Sequence, residues 1–427
     1  MSEWEQITLK QAGISLIDCD HKTPVTVTEG IPYVTIPQIK DGHINLSEAR
    51  CISEEDFKIW TRKANPQTHD IVLSRRCNPG ETAYVSEGMK FALGQNLVLL
   101  RSDNKTVLRP FLRWLVRSPA WWGEIKKFTN FGSVFNSLKC GEILHFNLPI
   151  PPIKEQEYII KTLSCLDAKI ENLRRQNETL EQIARSLFKH WFIDFEFPNA
   201  DDKPYKSSGG AMVASELGDI PEGWKVGTLE SEVEIQKGVS YKGEGLADSI
   251  TGIPMHNLKS VYEGGGYRHD GIKFYNGDYK ERHICKTGDI IVPNTEQGEK
   301  HKLIGFPARI PRYFKDVSIL THHLFKVIPL KTSYFSRQYI YYLITSHITR
   351  KQILGYTNGT TVNMLSPDGF KKPLVVKPDK NIIKSFTKVV NPIWEKQESN
   401  FDQLQTLTKT RDSLLPKLMS GQLRVKE

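Results

Sequence analysis

The sequence predicts an α/β (α+β) chain in which one unit occurs twice. Two similar globular domains are separated by a long antiparallel two-helix coiled coil, as a pseudo-two-fold internal repeat. Three observations predict this. The skeleton G-x-x-x-N-x-L occurs at Gly132, Asn136 and Leu138 and returns at Gly359, Asn363 and Leu365. The same offset relates Gln95-Asn96-Leu97 to His322-His323-Leu324 and Pro151-Pro152 to Pro378-Asp379. Finally, two narrow apolar seams at alternating spacings of three and four are themselves related by that offset.

Taken in chain order, residues 1–150 form the first domain. Its short β-rich runs (71–74, 97–101) alternate with Gly, Pro and Asn turns, and 111–122 read as one apolar helical stretch. Residues 151–197 carry the first seam: Leu163, Leu166, Ile170, Leu173, Asn177, Leu180, Ala184, Leu187 and Trp191. Residues 198–215, rich in Pro, Gly, Ser and Asp, read as a linker. Residues 216–377 repeat the first domain, with β-rich runs at 290–292 and 324–328 and a helical stretch at 337–348. Toward the N-terminus the offset shrinks, as loop-length changes require: Gly30-Ile31-Pro32 matches Gly252-Ile253-Pro254, and Asp70-Ile71-Val72 matches Asp289-Ile290-Ile291. Residues 378–427 carry the second seam: Val390, Ile393, Gln397, Asn400, Leu404, Leu407, Arg411, Leu414 and Leu418.

A globular contact stripe is usually wider and shorter than these seams, so the two helices are expected to pair with each other, antiparallel. The alternative is two separate amphipathic helices, each on its own domain. Asn177, Gln397, Asn400 and Arg411 either fix the register of the pair or face solvent at a frayed seam. Pro392 is expected to kink or break the second helix near its start.

Composition narrows the function. The 427 residues are 39% hydrophobic and 25% charged, and no apolar run is long enough to span a membrane. The polar N-terminus reads as neither a signal nor a transit peptide, and a cytoplasmic setting is expected. Six well-separated cysteines without a C-x-x-C speak against a zinc site or a disulfide framework. The net charge of +9 lies mostly in residues 216–378. That permits nucleic-acid binding without requiring it.

Residues 148–192, opening on Pro151-Pro152 and Glu155-Gln156, resemble the central region of specificity subunits from type I restriction–modification systems. Residues 411–425, RDSLLPKLMSGQLRV, resemble their C-terminal signature. The second copy, Lys377-Pro378-Asp379-Lys380-Asn381, lacks the Glu-Gln pair. The resemblance covers the full length. It implies two target-recognition domains, each reading one half of a split double-stranded DNA target, with the helices setting the gap. It implies a non-catalytic chain in bacterial or archaeal cytoplasm. Partners would be two modification (methyltransferase) subunits and restriction/translocase subunits. S-adenosylmethionine, ATP and Mg would sit on those partners, and this chain would bind no cofactor. Leu166, Ile170, Leu173, Asn177, Leu180, Leu187, Ile393, Asn400, Leu404, Leu407 and Leu414 would form the coiled-coil and subunit interface.

The residues themselves agree with a chain without chemistry. Asn391-Pro392-Ile393-Trp394 approaches an Asn-Pro-Pro-aromatic methyltransfer loop, but Ile393 stands on the helical seam. No G-x-x-x-x-G-K-[ST] occurs. His322-His323 reads as a pair within a strand, with metal binding as the alternative.

DNA contacts are expected in two places in each copy. Gly132 and Ser133, and Gly359, Thr360 and Thr361, bring backbone amides and hydroxyls toward phosphates, which fixes position without reading bases. Asn136 and Asn363 either contact DNA or cap these loops through a side-chain-to-backbone bond. Base readers are expected where the copies differ after the shared strand. These are Arg75, Arg76 and Asn78 in the first copy, and Asn294, Thr295, Gln297, Lys300 and Lys302 in the second. Arg suits guanine, and Asn or Gln suits adenine. Asn130 and Asn358 flank the glycine loops. Trp121-Trp122 offers stacking, with core packing the alternative. Two other functions compete: a tandem-domain protein–protein adaptor built on the rod, for which DNA binding would be incidental, and an enzyme such as a fused methyltransferase or nuclease.

Overall fold

The strands predicted around residues 71 and 290 form because each is a short β-branched and leucine run with no polar face: Ile71–Ser74 and Ile290–Pro293 are buried along their whole length. Such strands must lie in the middle of a sheet. In this computed structural model they do so in both copies. The structure describes residues 4–20, 22–40, 42–47, 49–129, 136–298, 301–314, 317–359 and 361–424. The strand order in one sheet is Ile14–Asp18, Leu97–Ser102, Ile71–Ser74 and Thr82–Tyr84. In the other it is Val233–Lys237, Leu324–Pro329, Ile290–Pro293 and Ala308–Arg309. Every pairing in both sheets is antiparallel. A parallel pair recurs too, Tyr33 beside Ala92 and Met255 beside Ile319. The repeat read from sequence is therefore a repeat of strand topology.

Two compact units divide the chain. The first holds residues 1–171 and 405–427, the second residues 172–404. Both boundaries fall inside the two long helices, Ile153–Phe192 and Lys380–Met419, so each helix contributes to both units. In the first unit, Ile159 and Leu163 share a core with Phe111, Trp114, Trp121, Leu415 and Leu418. The second unit gathers Ala184, Phe188 and Trp191 with Phe386, Val390, Trp394, Tyr339 and Tyr342.

Seam residues Leu163, Ile170, Leu173, Ala184, Val390 and Leu418 are buried. Leu166, Leu180, Leu187, Ile393, Leu404, Leu407 and Leu414 are half-buried. Asp167, Phe188, Trp394 and Leu415, each one position later than a half-buried seam residue, are buried. The stripe widens there because those stretches of helix also lie against strands and helices of their own unit, which a two-helix seam alone does not require. Within the second unit the helices run antiparallel: Asn177 accepts at Oδ1 from Asn400 Nδ2 at 2.9 Å, and Glu181 accepts from Gln397 at 3.4 Å. Asn400 is wholly buried.

Three local expectations are corrected. Each predicted apolar helical stretch is two helices, Arg109–Leu115 and Pro119–Phe128, then Arg337–Thr345 and His347–Leu354. Ser118 and Ser346 restart them, accepting from the amides of Trp121 and Thr349. The second long helix continues through Pro392. That ring is exposed, as is Lys388, whose carbonyl loses its donor, so water can satisfy it. The 198–215 segment is not a free linker: Tyr205 stacks on Phe197, Phe197 stacks on Trp224, and Met212–Val213 pairs with Ile220–Pro221.

Candidate nucleic-acid interface

In the first unit the chain leaves the buried strand at Ser74 and turns. The amide of Arg75 donates to the carbonyl of Asn96 (2.9 Å), and the carbonyl of Arg75 accepts from the amide of Leu138 (2.9 Å). Arg76 bridges Ser137. The post-strand loop and the segment following the glycine loop thus lie side by side. The turn needs a positive φ at Cys77, +63°. Arg75 points inward, 13% exposed, with Nη2 at 3.9 Å from Asp18. Arg76, Asn78 and Asn136 are exposed. Asn130, Gly132 and Ser133 lie outside the described residues.

The second unit makes the same junction. Asn294 accepts at its carbonyl from the amide of Leu365 (2.7 Å), as Arg75 does from Leu138. Here the junction grows into a three-stranded ribbon of Thr295–Gln297, Val362–Leu365 and Thr357–Asn358. Gln297 stands opposite Val362, and Asn358 opposite Met364. All four are exposed, so they share the outer face. Gly359 turns the ribbon at φ +117°; a Cβ there would lie 2.1 Å from the carbonyl oxygen of Val362, so glycine is required. Thr361 and Lys302 are exposed, Lys302 at 3.4 Å from Glu263. Lys300 and Thr360 lie outside the described residues.

In the second unit three of the expected contact residues are turned inward, as Arg75 is in the first. Asn294 is 4% exposed and donates from Nδ2 to the carbonyl of His322 (3.0 Å). Thr295 is 5% exposed, its Oγ1 at 3.0 Å from His323 Nδ1. Asn363 donates to the carbonyl of Gly298 at 2.6 Å, the capping bond that was one of its two readings. A polar side chain at the root of a buried strand is held by neighbouring carbonyls, because burying it unpaired is costly. The exposed Val362 and Met364 were not expected; the alternation in Val362-Asn363-Met364-Leu365 was their signal.

The electrostatics of the second site are basic. Burial first, then His322, Lys237 and Lys273, hold His323 below the ordinary imidazole value. His322 and His323 sit in the turn before Leu324–Pro329 rather than in a strand. Among the described residues no group of three His, Cys, Asp or Glu is placed to hold a metal ion. Trp121 is core, donating from Nε1 to the carbonyl of Gly80 (3.1 Å), while Trp122 is 38% exposed. Asn391-Pro392-Ile393-Trp394 is helical, and Trp394 donates to the Tyr342 hydroxyl at 3.0 Å. It therefore lacks the open loop that a methyltransfer motif requires. No described helix is long and apolar enough to cross a membrane.

Comparison with known proteins gives a consistent result. The family described as type I restriction modification DNA specificity domain matches residues 1–182. The type I restriction enzyme MjaIX specificity subunit of Methanocaldococcus jannaschii is 28% identical over 93% of this chain and 88% of its own. The HindI specificity subunit of Haemophilus influenzae is 24% identical over 82% and 86%. The crystal structure of a type I restriction–modification S subunit from M. genitalium superposes with a TM-score of 0.51 at 16% identity. It covers 97% of this chain and 96% of that one, which supports a shared fold.

Proposed function

We propose that the chain is a specificity subunit of a type I restriction–modification system, like the relatives it resembles, and that each of its units reads one half of a split DNA target. The observation that supports this most directly is the shared junction. The loop after the buried strand and the segment that follows the glycine loop are joined by the same backbone bond in both units. A conserved backbone with different outward side chains is what two readers of different sequences need: the frame positions the phosphates, and the side chains choose the bases. In the first unit the outward set is Arg76, Asn78 and Asn136. In the second it is Gln297, Lys302, Asn358 and Thr361.

In this proposal the paired long helices act as a spacer between the readers and as the docking surface for modification subunits. Those subunits supply S-adenosylmethionine-dependent methyl transfer, and restriction subunits supply nuclease and ATP-driven translocation. The chain itself contributes recognition and assembly. The test is to map methylated adenines across a genome with and without this chain, and to measure duplex binding by the assembled complex. A two-part methylated motif that disappears with the chain is expected, with binding that weakens steeply as salt rises. Binding to random duplex as tight as to the mapped motif would favour an adaptor role instead.

A further inference from the structure

The two junctions differ in one construction. In the first unit the connection between paired strands runs through residues 75–81; in the second it runs through 294–307. Among its described residues the longer connection contains the extra strand Thr295–Gln297 and the exposed Lys302. A longer connection loses more conformational freedom when ordered, so something must hold it. Glu296 does. Its Oε1 accepts from the amide of Lys302 (2.9 Å), and its Oε2 accepts from the amides of Leu303 (3.0 Å) and Ile304 (2.8 Å). Three consecutive N–H groups converging on one carboxylate form an anion-binding concavity, here filled by the protein itself. From the other side Arg350 donates to the carbonyls of His301 and Ile304, with its guanidinium 3.7 Å from the centre of the Phe306 ring. At the position of Glu296 the first unit has Cys77, which cannot make this clamp.

We propose that Glu296 is a positioning residue for DNA reading by the second unit: its carboxylate fixes the backbone that presents Lys302 beside Gln297. This rests on the reading that each unit recognises one half-site. Glu296 turns its negative charge onto the loop backbone, so its contribution is geometric and confined to one half of the target.

The experiment uses the full chain assembled with modification subunits and a plasmid library in which both halves of the mapped motif are randomised. The readout is which members become methylated. For Glu296→Ala and Glu296→Gln, discrimination at one half should fall roughly tenfold or more, about the cost of a mismatched base pair, with the other half unchanged. Alanine removes every acceptor, and glutamine keeps one oxygen for three amides. Glu296→Asp, which keeps both acceptors, should restore most of the lost discrimination. Unchanged discrimination at both halves overturns the proposal. So does equal loss at both, which would mark Glu296 as a general stability residue. If the wild-type complex shows no two-part motif, it is the half-site reading that fails.

Discussion

At the scale of single residues, the buried charges carry the strongest consequences. Asp167, on the first long helix, lies between two guanidinium groups: it accepts from Arg113 and, at Oδ1, from Arg411 Nη1 at 2.7 Å. Burial by itself would raise its carboxyl pKa, but Arg113 and Arg411 outweigh that and hold it below the usual carboxylate range. A depressed carboxyl contributes stability above its unfolded pKa and loses it as pH falls through the folded value. Asp167→Asn should therefore cost about 3 kcal/mol near neutrality, because it takes the carboxylate from the buried Arg113 and leaves Arg411 with Asp412 alone, and the difference should shrink in acid. Urea denaturation of both proteins at pH 7 and pH 3.5 checks this. In the second unit His256 and His269 are pushed down to about 3, chiefly by burial. His256 Nδ1 meets the Tyr267 hydroxyl at 2.7 Å, and His269 stacks on Phe401 with ring centres 3.3 Å apart. Both stay neutral when folded, so their contribution is complete above pH 6.5 and declines toward pH 3. The expected loss approaches about 1.4 kcal/mol per pH unit for each histidine. His256→Gln should flatten the pH dependence of the denaturation midpoint between pH 6.5 and 5.

At the scale of elements, the start of each long helix shows how one role is filled by different chemistry. Gln156 is wholly buried. Its Oε1 accepts from the amide of Leu108, and its Nε2 donates to the carbonyls of Thr106 and Pro151, each at 2.8 Å. Beside it the Trp4 indole donates to Glu155 at 3.1 Å. The Glu-Gln pair is thus a docking device that ties the helix to the loop ahead of Arg109–Leu115. The second copy places buried Ile383 at the position of Gln156 and anchors the same region with the Tyr334 hydroxyl on the carbonyl of Pro378 (3.0 Å). Gln156→Ala leaves an amide and two carbonyls without partners and should cost about 3 kcal/mol. Thermal unfolding of that variant beside Ile383→Val, a loss of about 1 kcal/mol, separates the polar dock from the apolar one.

At the scale of the whole molecule, the duplication predicts independence. Arg76 belongs to the first unit and Gln297 to the second, and both are exposed beside matching junctions. Arg76→Ala and Gln297→Ala should each relax a different half of the methylated motif by roughly tenfold. The double variant should show the two effects added in free energy, as expected for independent sites without shared partners. Methylation profiles of the three variants measure this. Relaxation of the same half by both substitutions would contradict one reader per unit.

The duplication was legible in sequence because strand cores and glycine turns tolerate few residue types, so the two copies kept Asp-Ile-Ile/Val and G-x-x-x-N-x-L in place. The long helices were legible because a spacing of three and four is a one-dimensional signal. Other features depend on partners far away along the chain. Nothing local separates Arg75, turned toward Asp18, from the exposed Arg76, and nothing local tells that Asn294 is buried by carbonyls near His322 while Gln297 faces out. The Glu296 clamp needed the folded loop to bring three amides to one carboxylate. Periodicity and turn chemistry are properties of neighbours in sequence, and the sequence alone determined them. Which polar side chain is consumed in holding a loop, and which is left for a ligand, was decided only by the tertiary structure, because that depends on the distant donors and acceptors that folding brings within hydrogen-bond reach.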